Sequence, residues 1–317
     1  MPVGIAGKRL WEKVSDEKLE HEAWRGNTQG MTWMHRTLIR SFKYLNLRFV
    51  YLGMAIFVVP FYMLFAHKGY ITMYHYFRQR HGYGVWKSFR YVYLNHYRFG
   101  QIILDRFANY AGRPFQIDLD GNDTFVELSH GQTGFMVMSC HVGNYELAGY
   151  AFEATEKRFN ALVYSGEAKT VMENRNRMFG RNNIRMIPAL EDMSHIFLMN
   201  EALANGEIVS IPGDRIYGSP RSLECDFLGS KARFPLGPYA MALQRGVPTV
   251  TIFVMKESAY RYTAYIRRIE ATEGKTRQER AASLAQHFAH ELETILRKYP
   301  EQWFNYYEFW NHDEHAA

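Results

Sequence analysis

Two cysteines, Cys140 and Cys225, are all that the 317-residue sequence contains. Two thiols cannot build the disulfide framework of a small secreted protein, and their spacing does not match a cysteine zinc site. The sequence also lacks a Walker glycine loop and the paired glycines of a dinucleotide-binding motif. We therefore predict a folded part that faces a reducing compartment and that holds neither a metal nor a cofactor.

A secretory signal is missing as well, because no short apolar segment near the N-terminus precedes a small-residue cleavage site. Hydrophobic residues make up 47% of the chain, which is enough to bury a large core in one domain, with or without a small appendage. The formal net charge of +6 favours phosphate-rich partners, anionic membrane surfaces or acidic proteins. Charge alone does not choose among these three.

One long stretch has no charge at all, from Phe49 to Ala66. Its length is near the lower limit for spanning a bilayer, and it is the strongest membrane signal in the chain. Basic residues such as Arg48 and Lys68 lie on both sides, so the positive-inside rule gives no orientation. This balance suits an interfacial or re-entrant anchor, and Pro60 predicts a kink in it. A buried core helix is the alternative.

The next segment, from Tyr70 to Gly112, is rich in aromatic and basic residues. Its apolar residues recur at helical spacing, which predicts two or three helices along or near the membrane. Interleaved aromatics and arginines also occur in proteins that bind single-stranded nucleic acid. No recognisable nucleic-acid module accompanies them, so we predict no such partner. Residues 1–112 are therefore expected to form an N-terminal helical, membrane-associating region.

Strand and helix patterns alternate over residues 113–317. Such alternation predicts an α/β domain with a mixed, largely parallel central sheet flanked by helices. The predicted strands are 115–119, 135–140, 159–164, 184–187, 207–211, 248–255 and 260–269. The predicted helices are 123–129, 144–156, 167–179, 192–204, 234–246 and 277–297.

A histidine ends the apolar run in the middle of the chain. His141 follows the predicted strand, Gly143 and Asn144 open a helical pattern, and Glu146 stands five positions after the histidine. A loop at the carboxyl end of a buried strand holds a polar group rigidly at the edge of a core. We therefore interpret His141 as a general base and Glu146 as its partner. Cys140 is expected to pack in the core, because adjacent strand residues point to opposite faces.

A second loop has the same form. The apolar run from Ile208 to Ile211 ends in Pro212, and Asp214 and Arg215 follow shortly after. If the two strands are neighbours, this pair shares a cleft edge with His141. An ordinary turn with a surface arginine is the alternative interpretation.

Taken together, these motifs resemble the late acyltransferases of lipid A biosynthesis, of the lauroyl and myristoyl transferase type. These belong to the lysophospholipid acyltransferase-like group that has a His-x4-Asp/Glu motif, which His141 and Glu146 match. The resemblance extends over about residues 24–310, although family members often differ at the position of Arg215. The other matching segments are Trp24–Gly26 with Gly30, Asp214–Gly218, Phe227–Gly229, Phe234–Pro238 and Pro300–Trp303.

The resemblance implies a glycerolipid acyltransferase-like fold and an enzyme of the inner membrane whose catalytic domain lies on the cytoplasmic side. It implies transfer of a fatty acyl group from an acyl carrier protein thioester, or from acyl-CoA, to a hydroxyl of a lipid A precursor, without cofactor or acyl-enzyme. The implied catalytic residues are His141 and Glu146, and the implied substrate-binding residues are Asn144, Asp214 and Arg215.

The chemistry requires a base, because an alcohol barely ionises near neutral pH. Glu146 would hold the tautomer of His141 and stabilise the imidazolium that forms. Backbone amides near residues 142–144, or the side chain of Arg215, are candidate donors to the developing oxyanion.

Several alternatives stay open at this point. The acceptor could be a lysophospholipid, an aminolipid or a phenolic pigment, and the protein could be a lipid-binding module without activity. Four arginines could contact an acidic carrier protein or lipid phosphates, or could form an ordinary charged helix face. They are Arg175, Arg177, Arg181 and Arg185.

Overall fold

The computed structural model describes residues 32–65, 67–147, 157–164, 183–190, 192–216, 221–307 and 309–310. Some of the predictions above lie outside these residues. They are the helix over 167–179, most of the helix over 144–156, the segment Trp24–Gly30, the glycine Gly218 and the arginines Arg175, Arg177 and Arg181.

Helices occupy the N-terminal part and flank a central sheet. They are α1 (Thr32–Ser41), α2 (Leu47–Phe65), α3 (His67–His75), α4 (Val85–Tyr110), α5 (Asn122–His130), α6 (Ser194–Ala204), α7 (Leu236–Arg245) and α8 (Arg277–Lys298). The last of these begins with a capping box between Thr276 and Glu279 and ends with Arg297 and Lys298 beside its carboxyl-terminal dipole. Both ends are therefore well defined by the local sequence.

Within the described residues, nine strands form one large sheet and one hairpin. They are β1 (Gln116–Asp120), β2 (Phe135–Ser139), β3 (Phe159–Tyr164), β4 (Ile184–Ala189), β5 (Ile208–Pro212), β6 (Ser222–Phe227), β7 (Ser230–Pro235), β8 (Thr249–Lys256) and β9 (Arg261–Ile269). Seven of them form the sheet in the order β1-β9-β8-β2-β5-β3-β4. All of its neighbouring pairs are parallel except β8 with β9. The predicted mixed, largely parallel sheet is confirmed.

The hairpin of β6 and β7 was not predicted from the sequence. Its two antiparallel strands pair Leu223 with Phe234, so Phe234 and Pro235 end a strand rather than open the helix that follows. The alternation of buried and exposed residues along each strand is a typical half-buried pattern. The glycine and prolines around it resembled a helix start, and they obscured this signal.

The central strands are buried on both faces because helices cover the sheet. Along β2, Met136 and Met138 pack into one hydrophobic cluster, while Phe135 and Val137 pack into the other. Cys140 is buried in the first cluster, as predicted. The residues that follow β2 therefore start from a rigid, close-packed base.

The uncharged run forms α2, and most of it faces outward. Only 22% of its most apolar 18-residue window is buried, so the alternative prediction of a buried core helix is wrong. A π-helical turn over Met54–Val58 precedes Pro60, which lacks an N–H and whose ring would clash with the carbonyl four residues earlier. The wider turn accommodates this proline within the helix. The exposed apolar side chains include Phe49, Leu52, Ile56, Phe57, Val58, Phe61, Leu64 and Phe65.

A buried ion pair joins α4 to the sheet, and a tyrosine of α2 donates to it. Lys256 at the end of β8 lies 2.5 Å from the carboxylate of Asp105 on α4, and both side chains are fully buried. The hydroxyls of Tyr51 and Tyr262 also donate to Asp105. Because Tyr51 belongs to α2, the network attaches the apolar helix to the α/β part. The predicted division into residues 1–112 and 113–317 falls in the turn after α4 and stays a prediction.

Candidate active site

Two loops leave the sheet side by side at the carboxyl ends of β2 and β5. These strands are parallel neighbours in which Ser139 pairs with Pro212, and the amide of Gly213 donates to the Ser139 carbonyl at 2.8 Å. The carboxyl ends of adjacent parallel strands are a usual place for a site in an open α/β sheet. The residues after each strand, His141 and Asp214, are therefore brought together as expected.

Asp214 holds the imidazole of His141. The Nδ1 atom of His141 lies 2.9 Å and 3.1 Å from the two carboxylate oxygens of Asp214, and the backbone N–H of His141 donates to Oδ2 at 2.9 Å. A carboxylate only accepts, so Nδ1 carries the proton and Nε2 of the neutral ring is left as the base. The Asp214 side chain is 1% exposed, whereas that of His141 is 25% exposed. The pair thus has a fixed, buried side and an accessible side.

The charges around this pair favour a neutral imidazole beside an ionised carboxylate. Burial lowers the pKa of His141 and the positive charge of Arg215 lowers it further, while the negative charge of Asp214 opposes both. Burial alone would raise the pKa of Asp214. Its attraction to His141 and Arg215, together with its hydrogen bonds, outweighs burial and lowers that pKa below its ordinary value. The ring can therefore accept a proton near neutral pH.

Glu146 does not take the position predicted for it. Its carboxylate lies 2.8 Å from Nε of Arg106 and accepts a 2.5 Å hydrogen bond from the hydroxyl of Tyr110. Both partners belong to α4. In the described part of the chain, the ring of His141 bonds to Asp214 and makes no hydrogen bond to Glu146. The expected tautomer-holding contact is therefore made by Asp214, because Glu146 lies in a new helical turn that faces α4.

The shape of the loop depends on Gly143. Its φ is +52°, and a Cβ atom there would lie 2.0 Å from the Val254 carbonyl oxygen. Its amide donates to Gln302 and the amide of Asn144 donates to Val254, at 2.9 and 2.7 Å. Both amides were predicted as candidate oxyanion donors, but each already donates to a backbone carbonyl. The close approach of two backbones explains why a glycine stands here.

The C-terminal segment forms the wall behind this loop. Val142 pairs with Trp303 in an isolated bridge, and the amide of Phe304 donates to the His141 carbonyl at 3.0 Å. Arg215 donates to the Phe304 carbonyl at 3.0 Å, and its guanidinium lies 5.6 Å from the ring centre of Tyr307. The late motif Pro300–Trp303 therefore contributes to the same site as His141.

A family model described as bacterial lipid A biosynthesis acyltransferase matches residues 108–311. The match includes both strands of the site, both loops and the C-terminal wall. The chain belongs to this family. No curated protein matches the sequence. The family assigns the protein to the acyltransferases and implies a lipid as the acceptor.

The remaining predicted residues of this acyltransferase lie in different surroundings. Asn144 is 1% exposed, and its side-chain amide points to the hydroxyl of Tyr262 at 3.4 Å. The structure thus places Asn144 beneath the loop, away from any surface that a substrate could reach. Within the described ranges, no group of three or more His, Cys, Asp or Glu side chains could hold a metal ion.

Three contacts of the site were missed from the sequence. Arg106 and Tyr110 anchor Glu146, and the Gln302 side chain accepts from the amide of Lys256 and donates to its carbonyl. The helical spacing of Arg106 and Tyr110, four residues apart, puts them on one face of α4. That spacing was visible, but nothing in the sequence indicated which loop this face would contact.

Proposed function

We propose that this family member transfers a fatty acyl chain from an acyl carrier protein thioester, or from acyl-CoA, to a hydroxyl of a lipid A precursor. The observation that carries the proposal is the His141–Asp214 pair at the end of β2, with a buried carboxylate behind a partly exposed imidazole. This arrangement provides a base that is oriented before the substrate arrives.

In the proposed reaction, Nε2 of His141 removes the proton of the acceptor hydroxyl as its oxygen attacks the thioester carbonyl. The C–O bond forms, the carbonyl electrons collapse back, and the C–S bond breaks. The imidazolium then returns its proton to the leaving thiolate, so that ester and thiol are the products. Asp214 keeps Nδ1 protonated and stabilises the transient imidazolium. Transfer is direct, and no acyl-enzyme forms.

Arg215 and Glu146 have supporting roles in this proposal. Arg215 adjoins Asp214 and contacts the wall residue Phe304, which suits a charged donor to the developing oxyanion or to a lipid phosphate. Glu146 acts as a positioning residue that fastens the loop to α4 through Arg106 and Tyr110.

The same proposal places the enzyme at the inner membrane with its α/β part on the cytoplasmic side. Its support is the apolar face of α2, where large side chains such as Phe49, Phe57 and Phe65 are 69–74% exposed. An exposed apolar patch of this extent is typical of a membrane or partner contact. Recovery of the full-length protein in the soluble fraction without detergent would contradict this placement.

The central test is His141→Ala, with full-length protein, a long-chain acyl carrier protein donor and a purified lipid A precursor. We expect turnover to fall about 10³-fold, because the hydroxyl loses its base. Thermal unfolding and vesicle binding should match the wild type. His290→Ala on the exposed face of α8 is the control and should keep full activity. Unchanged turnover in His141→Ala would overturn the mechanism.

The acceptor can be identified independently of this mechanism. Mass spectrometry of total lipids from cells with and without the protein should show a lipid A species that gains one acyl chain. The mass of that chain gives its length. A gain confined to lysophospholipids, aminolipids or phenolic pigments would replace the proposed acceptor and leave the proposed chemistry intact.

A further inference from the structure

A small cleft lies between the N-terminal helices and the C-terminal wall of the site. One side is α3 with its π-helical extension over Tyr76–Arg80, and the other is the segment after residue 302. The lining residues that matter here are Tyr76, Gln79, Arg80, Trp303, Asn305 and Trp310.

Four buried polar atoms in the side chains around this cleft have no hydrogen-bond partner among the described residues. They belong to the hydroxyl of Tyr76, the indole nitrogens of Trp303 and Trp310, and the side-chain oxygen of Asn305. Tyr76, Trp303 and Asn305 are each at most 3% exposed. A buried polar group without a partner costs roughly 1–3 kcal/mol. Three of these four groups can donate, so together they point to a ligand with acceptor oxygens, whereas the Asn305 oxygen can only accept.

The chemistry of the lining indicates which kind of ligand fits. Both indole nitrogens and the hydroxyl can donate, and Arg80 adds a positive charge 4.3 Å from the ring centre of Trp310. One nitrogen of this guanidinium donates to Ser230. None of the described lining residues is acidic. Several donors around one arginine suit an anion with many acceptor oxygens, of which a phosphate group is the usual biological example.

The position of the cleft relates it to the reaction. Trp303 pairs with Val142, next to His141, and the lining residue Tyr307 lies beneath the guanidinium of Arg215. On the other side, α3 follows the apolar helix α2 after one residue. The cleft is therefore between the proposed membrane-facing helix and the proposed catalytic loop, where the headgroup of an acceptor lipid has to lie.

We propose that this cleft binds a phosphate group on the headgroup of the acceptor lipid, and thereby selects phosphorylated lipids over neutral ones. The inference rests on the proposed function, because it takes the bound lipid to be the acyl acceptor. It also distinguishes among acceptor classes, since a phenolic pigment or an aminolipid without phosphate would leave both indole donors without a partner and Arg80 without an anion.

Binding can be measured without turnover. The assay is calorimetry on full-length His141→Ala protein in an uncharged detergent, with three probes: dihexanoyl phosphatidic acid, dihexanoylglycerol and inorganic phosphate. The phosphatidic acid should bind at least about tenfold more tightly than the other two. Because no chemistry occurs in this variant, the result does not depend on whether His141 is the base.

Two variants assign that binding to the cleft. Arg80→Gln removes the charge and should weaken phosphatidic acid binding about tenfold. Asn305→Asp keeps the size of the side chain and adds a repelling carboxylate, so it should weaken binding at least as much. Arg78→Gln is the matched control, because Arg78 is an exposed arginine on the same turn that donates to the Tyr83 carbonyl at 2.7 Å. Arg78→Gln should leave the affinity for phosphatidic acid the same as in the His141→Ala protein.

Three outcomes would overturn the proposal. Equal affinity for the phosphorylated and the neutral lipid would show that the cleft does not recognise phosphate. Inorganic phosphate that binds as tightly as the lipid would indicate a free-anion site instead of a headgroup site. Unchanged binding in both Arg80→Gln and Asn305→Asp would place the phosphate elsewhere. Normal phosphatidic acid binding together with absent acyl transfer in the wild type would refute only the proposed function.

Discussion

Two carboxylates flank the loop that carries His141, and both are buried. Asp214 accepts from the ring and from the backbone amide of His141. Glu146 contacts Arg106 and Tyr110 on α4 instead. Both are in motifs that resemble the same family, yet they face opposite sides of the loop. Asp214 orients the imidazole, and Glu146 fastens the loop to α4.

Nearness in sequence is a poor guide to side-chain partners at a strand end. Glu146 is five residues from His141, and Asp214 is 73 residues away. The loop reverses at Gly143, so Glu146 begins a helical turn on the side of α4. Asp214 arrives on the parallel neighbour β5 at the same level. Strand order therefore decides which carboxylate meets the imidazole.

The largest effect is expected from Asp214→Asn. Asparagine keeps the shape but can donate its amide to Nδ1, which favours the tautomer with the proton on Nε2 and removes the base. We expect kcat to fall on the order of 10³-fold to 10⁴-fold. Loss of the negative charge also lowers the pKa of His141, so the acid limb of the remaining activity moves to lower pH. Steady-state kinetics across pH checks both expectations.

Stability should change little in Asp214→Asn, since the side chain keeps its volume and one acceptor oxygen. A variant with nearly normal kcat would mean that the carboxylate is structural. The roles assigned to the two carboxylates would then have to be exchanged.

Glu146→Gln should mainly change stability. The substitution leaves the guanidinium of Arg106 beside a neutral amide in a largely buried position. We expect the free energy of unfolding to fall by about 2 kcal/mol, as measured by denaturant titration. Turnover should fall by about tenfold through a less well-placed loop, far less than in Asp214→Asn.

The double variant Glu146→Gln/Arg106→Gln distinguishes a positioning role from a catalytic one. If Glu146 acts through Arg106, the second substitution adds little to the first in either stability or turnover. If Glu146→Gln alone lowers turnover as much as Asp214→Asn does, and stability is unchanged, then both carboxylates contribute directly to catalysis.

The smallest effect is expected from Arg215→Gln. The positive charge of Arg215 lowers the pKa of His141, so its removal raises that pKa. Because the neutral ring is the proposed base, the acid limb of kcat/KM should move to higher pH, opposite to the shift in Asp214→Asn. Arg245→Gln, at the exposed end of α7, is the control. If the acid limb does not move in Arg215→Gln, the charge of Arg215 does not influence the pKa of His141.

Much of the architecture could be predicted because hydrophobic periodicity is a local property. The strands β2, β3, β5, β8 and β9 were found within one or two residues of their bounds. The hairpin β6–β7 was not predicted, because the turn residues around Gly237 resembled a helix start. Within the site, His141 was identified from its place after a strand.

The α/β alternation, the position of His141 at a strand end and the uncharged helix α2 could all be predicted from the sequence. Each depends on residues that are close together in the chain. Three other features depend on packing between distant parts of the chain: Asp214 holds the imidazole, Glu146 faces Arg106, and the cleft beside Trp303 lies next to the loop of His141. The reason is physical. Buried polar groups take the partners that the order of strands and the packing of α4 bring within reach, and that order is not a local property of the chain.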